Sequence, residues 1–199
     1  MPVGLAIVAA LVFQLSSAAM PPAILQIVRE PVLPGSGAAY SAIEEERARA
    51  AAALGCPHPY FGLESLTGPN EGWWFNGYTS EQEKAQVAAG YAKNTRLMAV
   101  LGQTQISKDK LVGKSIEILG TYRRDLSSGR PWTPGQGGFT VITLTRSDRR
   151  IAGTVFITAD GTRIVVTAEK TRKDADAARA LAGPESVILA ARPSWSFAG

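Results

Sequence analysis

The sequence predicts an α+β protein made of two related halves whose antiparallel sheets pack together as an α+β barrel. In the first half, residues 20–122, patterns typical of strands and helices follow one another in the order βαββαβ, the ferredoxin-like split βαβ arrangement. Residues 123–138 are rich in Gly and Pro and have no apolar period, which predicts a linker. The second half, residues 139–199, resumes in the order βββαβ and is expected to be a degenerate copy that has lost its first helix.

Eight strands are predicted, because β-branched and aromatic residues cluster in short runs bounded by Gly, Pro, Asn or Asp. In the first half, a Gly-Pro-Asn turn at residues 68–70 joins the second strand to the third. In the second half, Asp160-Gly161 is a two-residue hairpin signal. The predicted strands cover residues 23–32, 60–66, 72–78, 115–122, 139–146, 154–159, 162–169 and 186–192.

Helical segments are predicted between these strands from apolar spacing and from capping residues. Residues 38–54 place Ile43, Ala50 and Leu54 at helical spacing. Gly55 follows as the expected C-cap. Further helices are predicted from the capping box of Ser80 and Glu83 onward, with a break near Lys93-Asn94, and over residues 174–181.

The first 19 residues predict a secretory signal peptide, since they carry no charged side chain and their apolar run ends in small residues. The alternative is an uncleaved anchor, but a spanning helix needs about 20 apolar residues, and Pro21-Pro22 ends this run early. We therefore expect a periplasmic or secreted protein with no membrane attachment after cleavage.

Composition and charge exclude several function classes. The single cysteine, Cys56, rules out an internal disulfide and is expected to be a small buried hydrophobe. The net charge of +4 is concentrated after residue 120, yet those arginines are scattered among strands and turns. Because they form no basic helix or aromatic platform, no nucleic-acid partner is expected. No metal-ligand spacing, phosphate loop or nucleophile elbow is present, so no metal and no cofactor are predicted.

Two sequence segments resemble a known superfamily. ILQIVREPVLPGSGAAY, from residue 24, and YFGLESLTGPNEGWWFNGY, from residue 60, are similar to dimeric α+β barrel proteins, which include the antibiotic-biosynthesis monooxygenases. The resemblance covers about residues 23–126 and is greatest to uncharacterised exported bacterial members. It implies two ferredoxin-like sheets packed face to face, either within a homodimer or within a monomer that holds both halves. The haem-degrading members use a helical histidine, whereas His58 lies in a loop, so the resemblance does not extend to haem chemistry.

Alternation along the strands of the first half separates two faces. One face is wholly apolar and is expected to pack under the helices; it carries Leu25, Ile27, Phe61, Leu63, Trp73, Phe75, Ile116 and Ile118. The other face is expected to look across the barrel at Thr143, Thr158, Arg163, Thr167, Glu169 and Arg192 of the second half. Its polar and aromatic members are the candidate ligand-binding residues Gln26, Glu64, Trp74, Asn76, Tyr78 and Glu117.

Two hypotheses describe this second face. It is either a structural network in which Glu64 and Glu117 pair with Arg163 or Arg192, or a cavity for a small apolar or aromatic ligand. His58, Arg163 and Arg192 are secondary candidates, with His58 expected to be a surface residue. The sequence therefore predicts a small-ligand-binding or structural module. The alternative is a cofactor-independent monooxygenase-like enzyme acting on an aromatic or polyketide-like substrate, with no catalytic residue identified.

Overall fold

The computed structural model describes residues 20–199, and the predicted signal peptide lies outside the described residues. Within them, eight strands and four α-helices follow the order that the sequence predicts. The first half contains β1 Ile24–Pro31, α1 Gly37–Leu54, β2 Phe61–Ser65, β3 Glu71–Tyr78, α2 Glu81–Lys93, α3 Thr95–Lys108 and β4 Ile116–Tyr122. The second half contains β5 Phe139–Thr145, β6 Thr154–Thr158, β7 Arg163–Glu169, α4 Arg172–Ala182, β8 Val187–Ala191 and a 3-10 turn at Pro193–Trp195.

The helix ends are set by local capping residues. Gly55 ends α1 with a φ of 71°, in the left-handed region that favours glycine. Ser80 Oγ accepts a hydrogen bond from the Glu83 N–H at 3.1 Å, which confirms the predicted start of α2. The predicted break is also confirmed, because Asn94 separates α2 from α3 and its side chain accepts from the Leu97 N–H at 3.2 Å.

The eight strands close into one barrel in the order β1-β3-β2-β8-β5-β7-β6-β4, which confirms the predicted α+β barrel. Each half contributes four strands in the same order, β4-β1-β3-β2 and β8-β5-β7-β6. The halves join along two antiparallel seams, β2 with β8 and β4 with β6. A single chain therefore builds the barrel, and α1 has no helical counterpart between β5 and β6.

The barrel interior holds the wholly apolar face, so the predicted assignment of the two faces was wrong. Leu25, Ile27, Leu63, Trp73 and Phe75 share one cluster with apolar residues of the opposite strands, with Phe61 and Ile118 packed against it. Ile116 is exposed at the start of β4. Side chains inside the closed barrel have no contact with water, so the strand face without polar side chains points into the interior. The second-half members of this cluster are Trp132, Ile142, Phe156, Ile164, Val166 and Leu189.

The segment between β4 and β5 contributes to this core. Trp132, in the predicted linker, is 1% exposed. Its ring lies 5.6 Å from that of Phe75 and 6.4 Å from that of Phe156, in edge-on contacts. Residues 123–138 therefore do more than connect the halves, because they place a large aromatic side chain in the barrel interior.

The polar face of the first-half sheet points outward and is covered in part by helices. α1 and α3 pack on each other, and side chains from both reach the residues of β1 and β3 that point away from the barrel. In the second half, α4 covers an apolar outer face through Ala175, which packs with Val141 and Ile188. The candidate residues of the first half therefore lie on the outer face of the barrel.

Candidate functional site

A cavity of about 220 Å³, partly open to solvent, lies between the outer face of the first-half sheet and the helices. The sheet forms its floor, and all three helices of this half contribute side chains to it. Its lining residues are Val28, Glu30, Glu44, Arg47, Ala51, Cys56, Tyr60, Trp74, Asn76, Tyr91, Leu97, Leu101 and Lys108.

A cluster of buried charges forms one end of this cavity. Lys108, at the end of α3, is only 3% exposed, and its Nζ lies 2.7 and 3.0 Å from the two carboxylate oxygens of Glu30. The same Nζ lies 3.1 Å from Oε1 of Glu44 on α1. One lysine therefore holds together β1, α1 and α3 at a site where an unpaired charge would be strongly unfavourable.

Glu30 is fully provided with hydrogen-bond donors. Besides Lys108, it accepts from the Tyr40 hydroxyl at 2.8 Å and from Trp74 Nε1 at 3.2 Å. Gly72 makes this arrangement possible, because a Cβ at that position would overlap the Tyr40 ring and hydroxyl. Burial, together with the nearby carboxylates of Glu30 and Glu44, raises the pKa of Tyr40, which keeps its hydroxyl protonated as a donor.

Glu44 is much less well provided. Its carboxylate is 3% exposed, and Oε1 lies 3.1 Å from the Lys108 ammonium that Glu44 shares with Glu30. Arg47 Nε lies farther away, 3.6 Å from Oε2. Burial raises the pKa of Glu44, and the positive charges of Lys108 and Arg47 offset only part of that effect.

Aromatic and sulfur groups line the other end of the cavity. The Tyr91 hydroxyl lies 3.0 Å from Cys56 Sγ, and burial raises the pKa of both Tyr91 and Tyr60, which stay protonated at neutral pH. Trp74, which donates to Glu30 at the charged end, stacks on Trp195 with ring centroids 5.9 Å apart. The site therefore combines aromatic walls with one charged end, an arrangement suited to a small ring that carries a polar group.

Of the six candidate ligand-binding residues, the structure brings Trp74 and Asn76 into the cavity lining. Three others form a hydrogen-bonded chain on the same outer face. The Tyr78 hydroxyl donates to Gln26 Oε1 at 2.8 Å, and Gln26 Nε2 donates to Glu117 Oε1 at 2.5 Å. This chain satisfies its own polar groups and does not line the cavity.

His58 is buried, at 7% exposure, so the expectation of a surface histidine was wrong. Its ring lies 4.8 Å from the Tyr78 ring, its Nδ1 is 2.7 Å from the Pro59 carbonyl oxygen, and its Nε2 is 3.8 Å from a Glu83 carboxylate oxygen. His58 therefore connects the loop before β2 to the start of α2, where Glu83 also caps the helix.

The remaining candidates lie apart from the cavity. Glu64 pairs with Arg192 Nη1 at 3.3 Å, and both side chains are more than a third exposed. Arg163 pairs with Asp148 at 2.8 Å on the surface of the second half. Glu117 and Arg163 are therefore not partners. The predicted Glu64–Arg192 pair is therefore confirmed, but its partners are partly exposed rather than inside the barrel, and the predicted pairing of Glu117 with an arginine was wrong.

Sequence reasoning missed Glu44 and Lys108, the most informative charged residues of the site. The helical spacing was assigned to Ile43, Ala50 and Leu54, whereas the buried residues of α1 are Tyr40, Glu44, Ala48 and Ala51. Their near-regular spacing of four and three residues is a helical face, but the glutamate in it resembles a surface position. Only its contact with Lys108, on another helix, identifies it as buried.

Within residues 20–199, no group of three or more His, Cys, Asp or Glu side chains is placed to bind a metal ion. In the same part of the chain, no helix combines the length and the apolar character needed to cross a bilayer.

Comparison with known proteins shows the fold. The chain matches no protein-family model and no curated protein sequence. Its structure is similar to that of a "putative monooxygenase" from Fusobacterium nucleatum subsp. nucleatum, with a TM-score of 0.52 and 10% identity over 86% of this chain and 93% of the other. A second "putative monooxygenase", from Lactobacillus acidophilus, has a TM-score of 0.47 and 11% identity, covering 84% and 93%. The chain therefore shares its α+β barrel fold with the Fusobacterium protein.

Proposed function

We propose that this protein binds a small, ring-containing molecule in the cavity between the first-half sheet and its helices. The observation that carries the proposal is a cavity of about 220 Å³ whose lining combines the aromatic residues Tyr60, Trp74 and Tyr91 with the buried ion pairs of Lys108 and Glu44. A concave site with mostly apolar walls and a few convergent polar groups is the usual form of a small-molecule site.

The cavity volume limits the size of the ligand. A cavity of roughly 150 Å³ lined by apolar side chains is enough to hold benzene. At about 220 Å³, this cavity has room for one ring with one or two substituents. A fused polyketide-like substrate would extend through the solvent-facing opening.

A cavity-filling variant tests this proposal. Ala51 lines the cavity from α1 and is 2% exposed, whereas Ala52 on the same helix is exposed. Titration of phenol, toluene and indole, followed by NMR chemical-shift changes, is expected to show saturable binding to the wild-type protein. Ala51→Leu should weaken that binding about tenfold or more by occupying the cavity, and Ala52→Leu should leave it unchanged. Absence of binding to the wild type would contradict the proposal.

A second candidate function is monooxygenation without a cofactor, which the name given to the Fusobacterium protein suggests. In such a reaction the substrate supplies the electrons: an activated CH2 group becomes a carbonyl, one oxygen atom of O2 enters the product and the other leaves as water. Glu44 is the candidate base for removing the proton from that CH2 group, because burial raises its pKa above the ordinary value. Oxygen consumption with anthrone-type substrates, measured in the wild type and in Glu44→Gln, tests this candidate; no uptake above the uncatalysed rate would exclude it for these substrates.

We also propose that the mature protein is exported and monomeric. The apolar segment before residue 20 supports export, and a barrel closed within one chain supports a monomer. Mass spectrometry of the protein from cell fractions should find a chain that begins near Met20, outside the cytoplasm. Sedimentation should give the mass of one chain, and an obligate dimer would contradict the monomer proposal.

A further inference from the structure

The polar groups that remain available in the cavity specify the chemistry of its ligand, and this step rests on the proposed function. We infer that the cavity binds a neutral ring compound with an amide edge, that is, an N–H group next to a C=O group, and that Asn76 and Tyr60 hold this edge by hydrogen bonds. Two features of the lining carry the inference: which polar side chains already have partners in the protein, and how the charges balance.

The polar side chains at the charged end of the cavity already have partners in the protein. Lys108 Nζ lies within 3.1 Å of carboxylate oxygens of both Glu30 and Glu44. Trp74 Nε1 donates to Glu30, and Arg47 Nε lies 3.6 Å from Glu44. Two carboxylates and two cations balance at this end, so a charged ligand would add an uncompensated charge at a desolvated site. The ligand is therefore expected to be neutral.

Asn76 and Tyr60 are the polar side chains of the lining that remain available. Among residues 20–199, no group forms a hydrogen bond with the Asn76 amide or with the Tyr60 hydroxyl. Gln26, which pairs with Asn76 on β1, is engaged at both ends of its own amide by Tyr78 and Glu117. Neither Asn76 nor Tyr60 is fully buried, and their polar atoms are open to the cavity. A ligand can therefore reach both groups.

Asn76 and Tyr60 share one face of the sheet. Each lies one residue beyond the Phe61–Phe75 pair that joins β2 to β3. Because Phe61 and Phe75 pack with the barrel core, the residues next to them point the other way, toward the helices. The backbone of Tyr60 is held by Phe197, whose carbonyl oxygen accepts its N–H at 2.8 Å and whose N–H donates back at 3.0 Å. Both side chains therefore face the same ligand space.

The chemistry of these two groups matches an amide edge. The side chain of Asn76 offers a carbonyl acceptor beside N–H donors, so it can form two parallel hydrogen bonds with a ligand N–H and C=O. Burial raises the pKa of Tyr60, so its hydroxyl stays protonated and can donate to the same ligand oxygen. Trp74 and Leu101 supply apolar surface for the ring. A lactam such as 2-pyridone fits this description, because its ring holds the N–H and the C=O on the same side.

Two isomers of one compound test the inference, since 5-methyl-2-pyridone keeps the N–H group and 1-methyl-2-pyridone replaces it by N–CH3. Both isomers and toluene are titrated into the full chain as wild type, Asn76→Leu and the matched control Asn70→Leu, which changes an exposed asparagine. A site built to hydrogen-bond a ligand group rejects an analogue that lacks it, so the wild type should prefer the 5-methyl isomer by about tenfold or more. Asn76→Leu should abolish this preference, and Asn70→Leu should retain it.

A further variant tests the part assigned to Tyr60. Tyr60→Phe removes only the hydroxyl, so it should weaken the binding of 5-methyl-2-pyridone relative to toluene by about three- to tenfold. Tyr122→Phe, in the barrel core, is the control and should leave the ratio unchanged. An unchanged ratio in Tyr60→Phe would show that Tyr60 does not hold the amide edge.

A second measurement needs no variant and decides the matter if Asn76→Leu does not fold. In ¹⁵N-labelled wild-type protein, 5-methyl-2-pyridone should move the side-chain amide protons of Asn76 downfield, and toluene should not. If toluene binds but the two isomers bind equally, or if the Asn76 amide signals do not respond to the lactam, the inference is wrong, while binding of a ring in the cavity still stands. If none of the three compounds binds the wild type, the proposed function fails and this inference with it.

Discussion

The two halves of the barrel have the same strand order, but they bury different kinds of polar side chains. Among residues 20–199, every buried charged side chain belongs to the first half: Glu30, Glu44, Glu71 and Lys108. The polar side chains that the second half buries are hydroxyl groups. Glu71 pairs with Arg29, whose guanidinium lies over the Trp73 ring, so this pair is on the same side of the sheet as the barrel core. The other three charged residues lie on the outer face, where α1 brings Glu44 over the first-half sheet and the second half has no equivalent helix.

This difference separates a half whose helix only covers its sheet from a half whose helices enclose a cavity. In the second half, α4 packs Ala175 against Val141 and Ile188, as expected for a layer that only covers a sheet. In the first half, α1 and α3 supply charged side chains that need one another, and a cavity remains beside them. Four experiments, described from the largest expected effect to the smallest, test this difference between the halves.

The largest effect is expected from Lys108→Met. The substitution leaves Glu30 and Glu44 buried without their shared cation, so it should lower the free energy of unfolding by about 3 to 5 kcal/mol in urea denaturation. Lys110→Met, at an exposed position two residues later, should change it by less than about 0.5 kcal/mol. Equal effects of the two substitutions would show that the buried charges of the first half have no structural importance.

The second-half counterpart is the buried hydroxyl pair of Thr143 and Ser186, whose oxygen atoms lie 2.8 Å apart. Thr143→Val leaves Ser186 without that partner and should cost about 1 to 3 kcal/mol in the same assay. The double variant Thr143→Val/Ser186→Ala removes both polar groups and should recover most of the loss. If the double variant lost as much free energy of unfolding as the two single variants added together, this pair would be as important for stability as Lys108.

A capping device that both halves share should give equal, smaller effects. Ser80 caps α2 and Thr171 caps α4, each accepting a hydrogen bond of 3.1 Å from a backbone N–H three residues later. Ser80→Ala and Thr171→Ala should each cost about 1 kcal/mol in thermal or urea unfolding. Ser107→Ala, at an exposed position within α3, is the control. A cost in only one half would show that the halves differ in more than the chemistry beneath their helices.

The last comparison concerns the pH dependence of stability. Burial raises the pKa of Glu44 above its ordinary value of 4.5, so its ionisation is harder in the folded chain than in the unfolded one. The favourable contribution of the protonated group is fully present below 4.5 and is lost as the pH rises through the folded pKa. Glu44→Gln leaves Lys108 paired with Glu30 and should therefore be more stable than the wild type above that pKa.

Urea denaturation of Glu44→Gln at a series of pH values measures this effect. The stability difference from the wild type should shrink toward zero as the pH falls to 4.5 and below. The control Glu46→Gln, at an exposed position, should follow the wild-type curve at every pH. A Glu44→Gln variant that is less stable than the wild type at neutral pH would mean that ionised Glu44 stabilises the fold.

Much of the fold was predictable because its signals are local. Strand alternation, the Asp160-Gly161 hairpin, the Gly55 C-cap and the Ser80 capping box each depend on a few neighbouring residues, and each appears where predicted. The candidate site was predictable only in part. Trp74 and Asn76 were found from their shared face, whereas Lys108 and Glu44 lie on separate helices and carry no local signal of burial.

The sequence by itself determined the element order, the resemblance between the halves and the division of each first-half strand into an apolar and a polar face. Tertiary structure decided which face looks inward, because alternation assigns residues to two faces without saying where each one points. It placed Trp73 and Phe75 inside the barrel and Trp74 under the helices. It also made Glu44 a buried carboxylate, because only the packing of α1 against α3 brings it to Lys108 and removes both from water.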